Sequence, residues 1–180
     1  MEVIEAGRTI VDPIDVDSMS YENGLITVQL VDAYACCLEN ASNGTLMLLP
    51  TNWHQNAFKL TQRKLVNLTS MLRGDLKVVV PVCSTLYNKA AWSLVVINMK
   101  KKQASLSIFN DQRTRTTTDA VLKQVLRALH LNNEWQLKIE PCEKGAIHLC
   151  MAMRSLVSGK GPISEHDLRI EMQTALAESS

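Results

Sequence analysis

Three apolar runs lie close together in the middle of this 180-residue chain, at 77–84, 92–98 and 104–110, and they constrain the fold more than any other feature. Each is mostly apolar and too short to be a helix with a buried face, so each is expected to be a strand. The last two are separated by little more than Met99, Lys100, Lys101 and Lys102. That spacing predicts a charged hairpin tip, and strands joined by so short a connection run antiparallel. A charge run of this length is a solvated turn rather than a binding patch.

The rest of the chain alternates strand and helix signals around this centre. Residues 3–11 suggest an edge strand or hairpin, broken by Asp12 and Pro13. From 25 to 38, Ile26, Leu30, Val31, Tyr34 and Leu38 recur at helical spacing, and the stretch 40–44 closes the element. A second helix is expected over 61–72, capped by Gly74, and a third over 118–131 with a Thr cap in front, where Val121, Leu122, Val125, Leu126 and Leu129 share a face. Trp135, Leu137 and Ile139 alternate with Gln136, Lys138 and Glu140, the pattern of a half-buried strand. Residues 145–157 are nearly all apolar and are expected to form a buried helix. A terminal helix, about 164–177, opens with Ser164 and Asp167 spaced as a capping-box variant after the Gly161-Pro162 break. Its Leu168, Met172 and Leu176 form a docking stripe. Without repeats or low-complexity linkers, the expectation is one α+β domain over 1–180.

Composition removes several function classes. With 46% hydrophobic and 21% charged residues, the chain can bury a core without disulfides. A formal net charge of +1 leaves no electrostatic footprint for nucleic acid, so no direct nucleic-acid binding is expected. No uninterrupted apolar run approaches the roughly 18 residues of a membrane span, and the first residues lack a basic segment leading into an apolar core. No membrane association is expected. Five cysteines, an odd number with Cys36 and Cys37 adjacent, suit a reducing compartment; Cys36, Cys37 and Cys83 are expected to be small core residues. Cys142, His148 and Cys150 have a C-x5-H-x-C spacing that matches no zinc pattern and lacks a fourth ligand, so no metal or cofactor is expected.

Six segments carry a family resemblance. Ala91-Trp92-Ser93-Leu94, continuing apolar to Ile97, resembles the His-Trp-x-Leu strand of the SUMO and NEDD8 deconjugating cysteine proteases of the Ulp/SENP family, with Ala91 where the general base stands. Leu106-Ser107-Ile108-Phe109-Asn110-Asp111 resembles the following strand, whose Asp orients that base; Asn110 takes its position, or Asp111 after a slip of one residue. Lys144-Gly145-Ala146-Ile147-His148-Leu149-Cys150 resembles Asp-Cys-Gly-Val-Phe-Val-Cys, so Gly145 replaces the nucleophile and Cys150 matches only the second, structural Cys. Pro141-Cys142-Glu143 stands where the family has Pro-Gln-Gln, and the oxyanion-hole Gln is absent or replaced by Cys142. Tyr21-Glu22-Asn23-Gly24-Leu25-Ile26 is similar to the family's Trp-Leu-Asn-Asp-x-x-Ile, and residues 77–82 fit the strand before the His.

The resemblance implies a papain-like fold of Ulp/SENP type, a central mixed or antiparallel sheet flanked by helices. It also implies a pseudoprotease, because a thiolate needs a base to form and a donor to hold the oxyanion, and losing such groups costs many powers of ten in rate. Trp92, Pro141 and His148 would then border a vestigial substrate groove. The function so implied is binding: an adaptor or scaffold subunit of a nuclear or nucleocytoplasmic protein complex, one associated with chromosomes being a candidate. Two alternatives stand beside it. The old groove still holds SUMO or another ubiquitin-like protein, or Cys142 or Cys150 serves a divergent peptidase or acyltransferase, with His148 as a displaced partner of Cys142.

Overall fold

The computed structural model describes residues 4–6, 9–11, 16–17, 19, 24–53, 75–86, 89–109, 115–129, 131 and 134–178. In chain order its elements are β1 (Ile4–Ala6), β2 (Thr9–Val11), α1 (Val28–Ala41), β3 (Leu46–Leu48), β4 (Lys77–Leu86), β5 (Lys89–Asn98), β6 (Gln103–Phe109), α2 (Arg115–Ala128), β7 (Gln136–Pro141), α3 (Ala146–Ser155) and α4 (Glu165–Glu178). They belong to two compact units: Met1–Leu48 with Gly145–Ser180, and Leu49–Lys144. The class is α+β with a mixed sheet.

In the second unit the three apolar runs form the antiparallel ladder they predicted. β4 pairs with β5 from Lys77↔Asn98 to Leu86↔Lys89, and β5 with β6 from Asn98↔Gln103 to Trp92↔Phe109. β7 then adds in parallel to β6, from Gln103↔Gln136 to Ile108↔Pro141, which makes the sheet mixed. Val78, Val79 and Val80 are all fully buried, as are Val95 and Ile97. Burial of consecutive residues means that β4 and β5 are covered on both faces, which is why these strands read as continuous apolar runs instead of alternating. The tip at residues 99–102 is a turn, fastened where the Lys101 N–H donates to Asn98 Oδ1 at 3.1 Å.

Pro81 is accommodated within β4 although it has no N–H to contribute, because this side of the residue faces away from β5. On that side of the strand a loop residue supplies the pairing instead: the Asn52 N–H donates to the Pro81 carbonyl at 3.0 Å. The Asn52 amide then brackets Cys83, accepting from its N–H at 3.0 Å and donating to its carbonyl at 2.9 Å. Asn52 holds φ +58, a left-handed conformation that Asn tolerates better than most residues.

Helix α2 packs on β6 through Leu122, Val125 and Leu126, followed by Leu129 beyond its end; Leu122 and Val125 are fully buried. It occupies Arg115–Ala128, three residues earlier than expected, so the Thr residues at 116–118 lie inside it rather than capping it. β7 also differs from expectation. Leu137 and Ile139 are 44% and 40% exposed, so the alternating strand is not half-buried among the described residues. The helix expected over 61–72 lies outside the described residues.

The first unit is helical around a short β1–β2 hairpin, paired from Ile4↔Val11 to Ala6↔Thr9. α1 begins at Val28, not at Leu25, because Thr27 is its cap: the Leu30 N–H donates to Thr27 Oγ1 at 3.3 Å. Leu25 is 74% exposed, and at its other end the helix runs three residues past the expected stop to Ala41. Leu30, Val31, Tyr34 and Leu38 of α1 bury against Leu149, Cys150 and Met153 of α3 and the Leu168, Met172 and Leu176 stripe of α4. α4 starts as its sequence predicted, with the Asp167 N–H donating to Ser164 Oγ at 3.1 Å and the Ser164 hydroxyl donating back to Asp167 Oδ2 at 2.7 Å. Cys36, Cys37 and Cys83 are half-buried instead of core, and Cys150 is the fully buried cysteine.

Candidate functional site

Ala91 and Trp92 lie on the central strand β5, so the backbone fixes them firmly. Ala91 faces Ser84 of β4 in the register, and Trp92 stands between Cys83 of β4 and Phe109 of β6. Each is 5% exposed. A methyl group at 91 has no lone pair with which to take a proton. Trp92 is a packed side chain. The described ladder ends at Trp92↔Phe109, and Asn110 and Asp111 lie outside the described residues.

Pro141 ends β7 and is exposed, as is Cys142 after it. The Cys142 N–H still donates to the Ile108 carbonyl at 2.8 Å, continuing the β7 ladder, and its thiol lies 3.9 Å from the Glu140 carbonyl. Of the five cysteines this is the exposed one.

In the first unit Gly145 is the N-cap of α3, at φ +103 and ψ +160, and it offers no side-chain cap. That backbone region is essentially open to glycine alone, since an L side chain there is strained whatever the surrounding space. A Cβ at Gly145 would meet nothing within 4 Å, so the obstacle is conformational rather than steric crowding by neighbours. On the helix that follows, His148 Nε2 lies 3.1 Å from Glu165 Oε1, with 18% of the imidazole side chain exposed. Cys150 is 0% exposed, and burial pushes its thiol up to about 12, with Arg169 pulling weakly the other way. A thiol so held is neutral near pH 7 and inert as a nucleophile.

Sequence reasoning missed a polar cluster in the same unit, centred on Glu171. Its carboxylate accepts from the Tyr34 hydroxyl at 2.8 Å, from Arg154 Nε at 2.9 Å and from Lys160 Nζ at 2.9 Å. Burial pushes the Glu171 carboxyl up, but the hydrogen bonds from Lys160, Tyr34 and Arg154 outweigh it and hold the group below its ordinary value. Burial, and next the Glu171 carboxylate, push the Tyr34 phenol up. The four residues come from α1, α3, the following loop and α4, and no local spacing in the sequence links them. Arg169 is also buried, at 7% exposed; its Nη1 donates to the Gly24 carbonyl at 3.0 Å while Nε finds no partner among the described residues. Among the described residues no three His, Cys, Asp or Glu side chains converge as a metal would require, and no helix is long and apolar enough to cross a membrane.

No family model matches the sequence, and no curated protein matches it. Solved structures do. The yeast SUMO system supplies one, the C-terminal Ulp1 protease domain in complex with Smt3, the yeast orthologue of SUMO, at TM-score 0.69 and 12% identity over 98% of this chain and 85% of that one. The SUMO protease Ulp1 with its catalytic cysteine oxidised to a sulfenic acid gives TM-score 0.70 and 11% identity, covering 97% and 87%. The sulfinic acid form gives 0.68 and 12%, covering 99% and 90%. The chain has the Ulp1 protease fold. Nearly the whole of it lies within that likeness, and the papain-like α+β architecture implied by the sequence resemblance is therefore the one observed. At this identity the likeness to Ulp1 is one of fold, and chemistry has to be argued from the residues.

Proposed function

We propose that this Ulp1-like chain is catalytically inactive and works by binding protein, as an adaptor or scaffold subunit of a nuclear or nucleocytoplasmic complex. The observation that carries the reading is Gly145, where the resemblance puts the nucleophile. It has neither a side chain nor a backbone conformation that a cysteine would accept without strain. Ala91 in the base position and the inert, buried Cys150 support the same reading. Acyl transfer by a thiol needs a thiolate and a base together, and neither Gly145 nor Ala91 has the side chain for its part.

Vinyl sulfone probes built on SUMO, NEDD8 and ubiquitin test the chemistry. The expected outcome is no adduct with any of them; labelling that disappears in Cys142→Ala would establish a divergent peptidase or acyltransferase and overturn the proposal. Capture of the tagged chain from its native cells, read by mass spectrometry, tests the adaptor role. A stoichiometric partner is expected.

A second reading is that the groove positions Trp92, Pro141 and His148 still take a ubiquitin-like protein. It is favoured by the likeness to a Ulp1 domain solved with Smt3. Because Trp92 is buried, Trp92→Ala would remove core volume at a cost of about 3–5 kcal/mol, and Trp92→Phe is the better variant. Ubiquitin-like conjugates captured by the wild type and lost in that variant would establish the groove reading in place of the adaptor reading.

A further inference from the structure

β7 is the edge of the sheet: it bonds to β6 on one side and to no strand on the other among the described residues. The N–H groups of Gln136 and Cys142 turn toward β6, donating to the carbonyls of Lys102 at 3.0 Å and Ile108 at 2.8 Å. Strand geometry alternates these directions, so the N–H groups of Leu137 and Ile139 point away from the sheet. Pro141 shares their parity, and a proline belongs in a strand where its missing N–H faces off the ladder.

This edge is apolar as well as unpaired. Leu137 and Ile139, two residues apart and so on one face, are 44% and 40% exposed. Next to Leu137 a cavity of about 580 Å³ is lined by Lys123, Leu126, Arg127, Leu131, Trp135 and Leu137. Lys123 and Arg127 stand four residues apart on α2 and therefore project from one side of it. Among the described residues the lining thus combines an apolar floor with the exposed cation Arg127. On the strand itself Lys138 is already ion-paired with Glu140.

We propose that β7 and this groove receive an extended segment of a partner protein by strand addition, the segment carrying alternating apolar residues and acidic residues at the end that lies beside Trp135. Main-chain hydrogen bonds to Leu137 and Ile139 hold the segment, its apolar side chains cover those two residues, and its carboxylates meet Arg127. The inference rests on the adaptor reading only in taking the partner to be a protein.

The test is a fluorescein-labelled decapeptide of alternating valine and threonine ending in two glutamates, titrated against the full chain by fluorescence anisotropy. Saturable binding is expected, weakened at least tenfold by Arg127→Glu, by a twin peptide ending in two lysines, and by Leu137→Asp. Arg127 is exposed, so its variant should melt with the wild type and report binding alone. Amide hydrogen exchange at Leu137 and Ile139 should slow at least tenfold under saturating peptide, which a merely sticky patch would not produce. Equal binding of the lysine-ended peptide, indifference to Arg127→Glu, or unchanged exchange at those two amides would overturn the proposal. So would a concentration-dependent dimer abolished by Ile139→Lys, which would make a second copy of this chain the occupant of the edge. A native partner still captured by the Arg127→Glu variant, with an unresponsive peptide, would sink this surface and leave the adaptor reading intact. A Cys142-dependent vinyl sulfone adduct would sink the adaptor reading without bearing on β7.

Discussion

Gly145 fixes the backbone conformation at the start of α3. At φ +103 and ψ +160 it occupies a region where any L side chain costs about 1–3 kcal/mol, so Gly145→Ala should lower the urea unfolding free energy by that amount, although the added methyl has open space around it. Glu171 gives the second prediction at this scale. Its carboxyl titrates below the ordinary 4.5 in the folded chain, so its contribution is present above that unfolded value and is lost as pH falls through the lower folded one. Glu171→Gln should cost about 1–3 kcal/mol near pH 7 and should flatten the acid limb of a stability-versus-pH curve. The identities of Ala91 and Gly145, at the positions where the resemblance expects a base and a nucleophile, carry the proposed loss of catalysis and were legible in the sequence. The Tyr34–Arg154–Lys160–Glu171 cluster was not, since its partners meet only through the packing of three helices.

Among the elements, the sequence pattern worked best where burial was complete and where caps were chemical. The runs that became β4 and β5 were found because unbroken apolar residues mark strands covered on both faces, and β6 because Ala104, Leu106 and Ile108 alternate with polar residues on one buried face. The start of α4 was found because Ser164 and Asp167 form a reciprocal cap. Ser164→Ala should therefore destabilise by about 1 kcal/mol and raise amide exchange in the first turn of α4, a change visible by hydrogen-exchange mass spectrometry. Where the pattern failed, a periodic signal had no boundary marker. α1 was drawn from Leu25 because apolar spacing reaches back that far, yet the Thr27 hydroxyl stops the helix. In β7 the alternation of Trp135, Leu137 and Ile139 gave the strand correctly, but alternation reports which face a side chain takes and not whether anything lies upon it.

At the scale of the whole chain, the first unit is discontinuous: α1 comes from the first part and α3 and α4 from the last, with the contiguous second unit between them. A chain ending at Lys144 would leave Leu30, Tyr34 and Leu38 without the side chains of α3 and α4 that cover them. Isolated helices of this length are marginal in water, so the truncated chain should lose the circular-dichroism signal of α1 as well as that of α3 and α4, while Trp92 keeps the fluorescence of a buried indole in the second unit. The same feature sets an order of events on the ribosome. At roughly 5–20 residues per second, α1 emerges on the order of ten seconds before the helices it packs against have been synthesised. During that interval its apolar stripe is open to solvent, so newly made chains should depend on holding chaperones until α4 clears the exit tunnel.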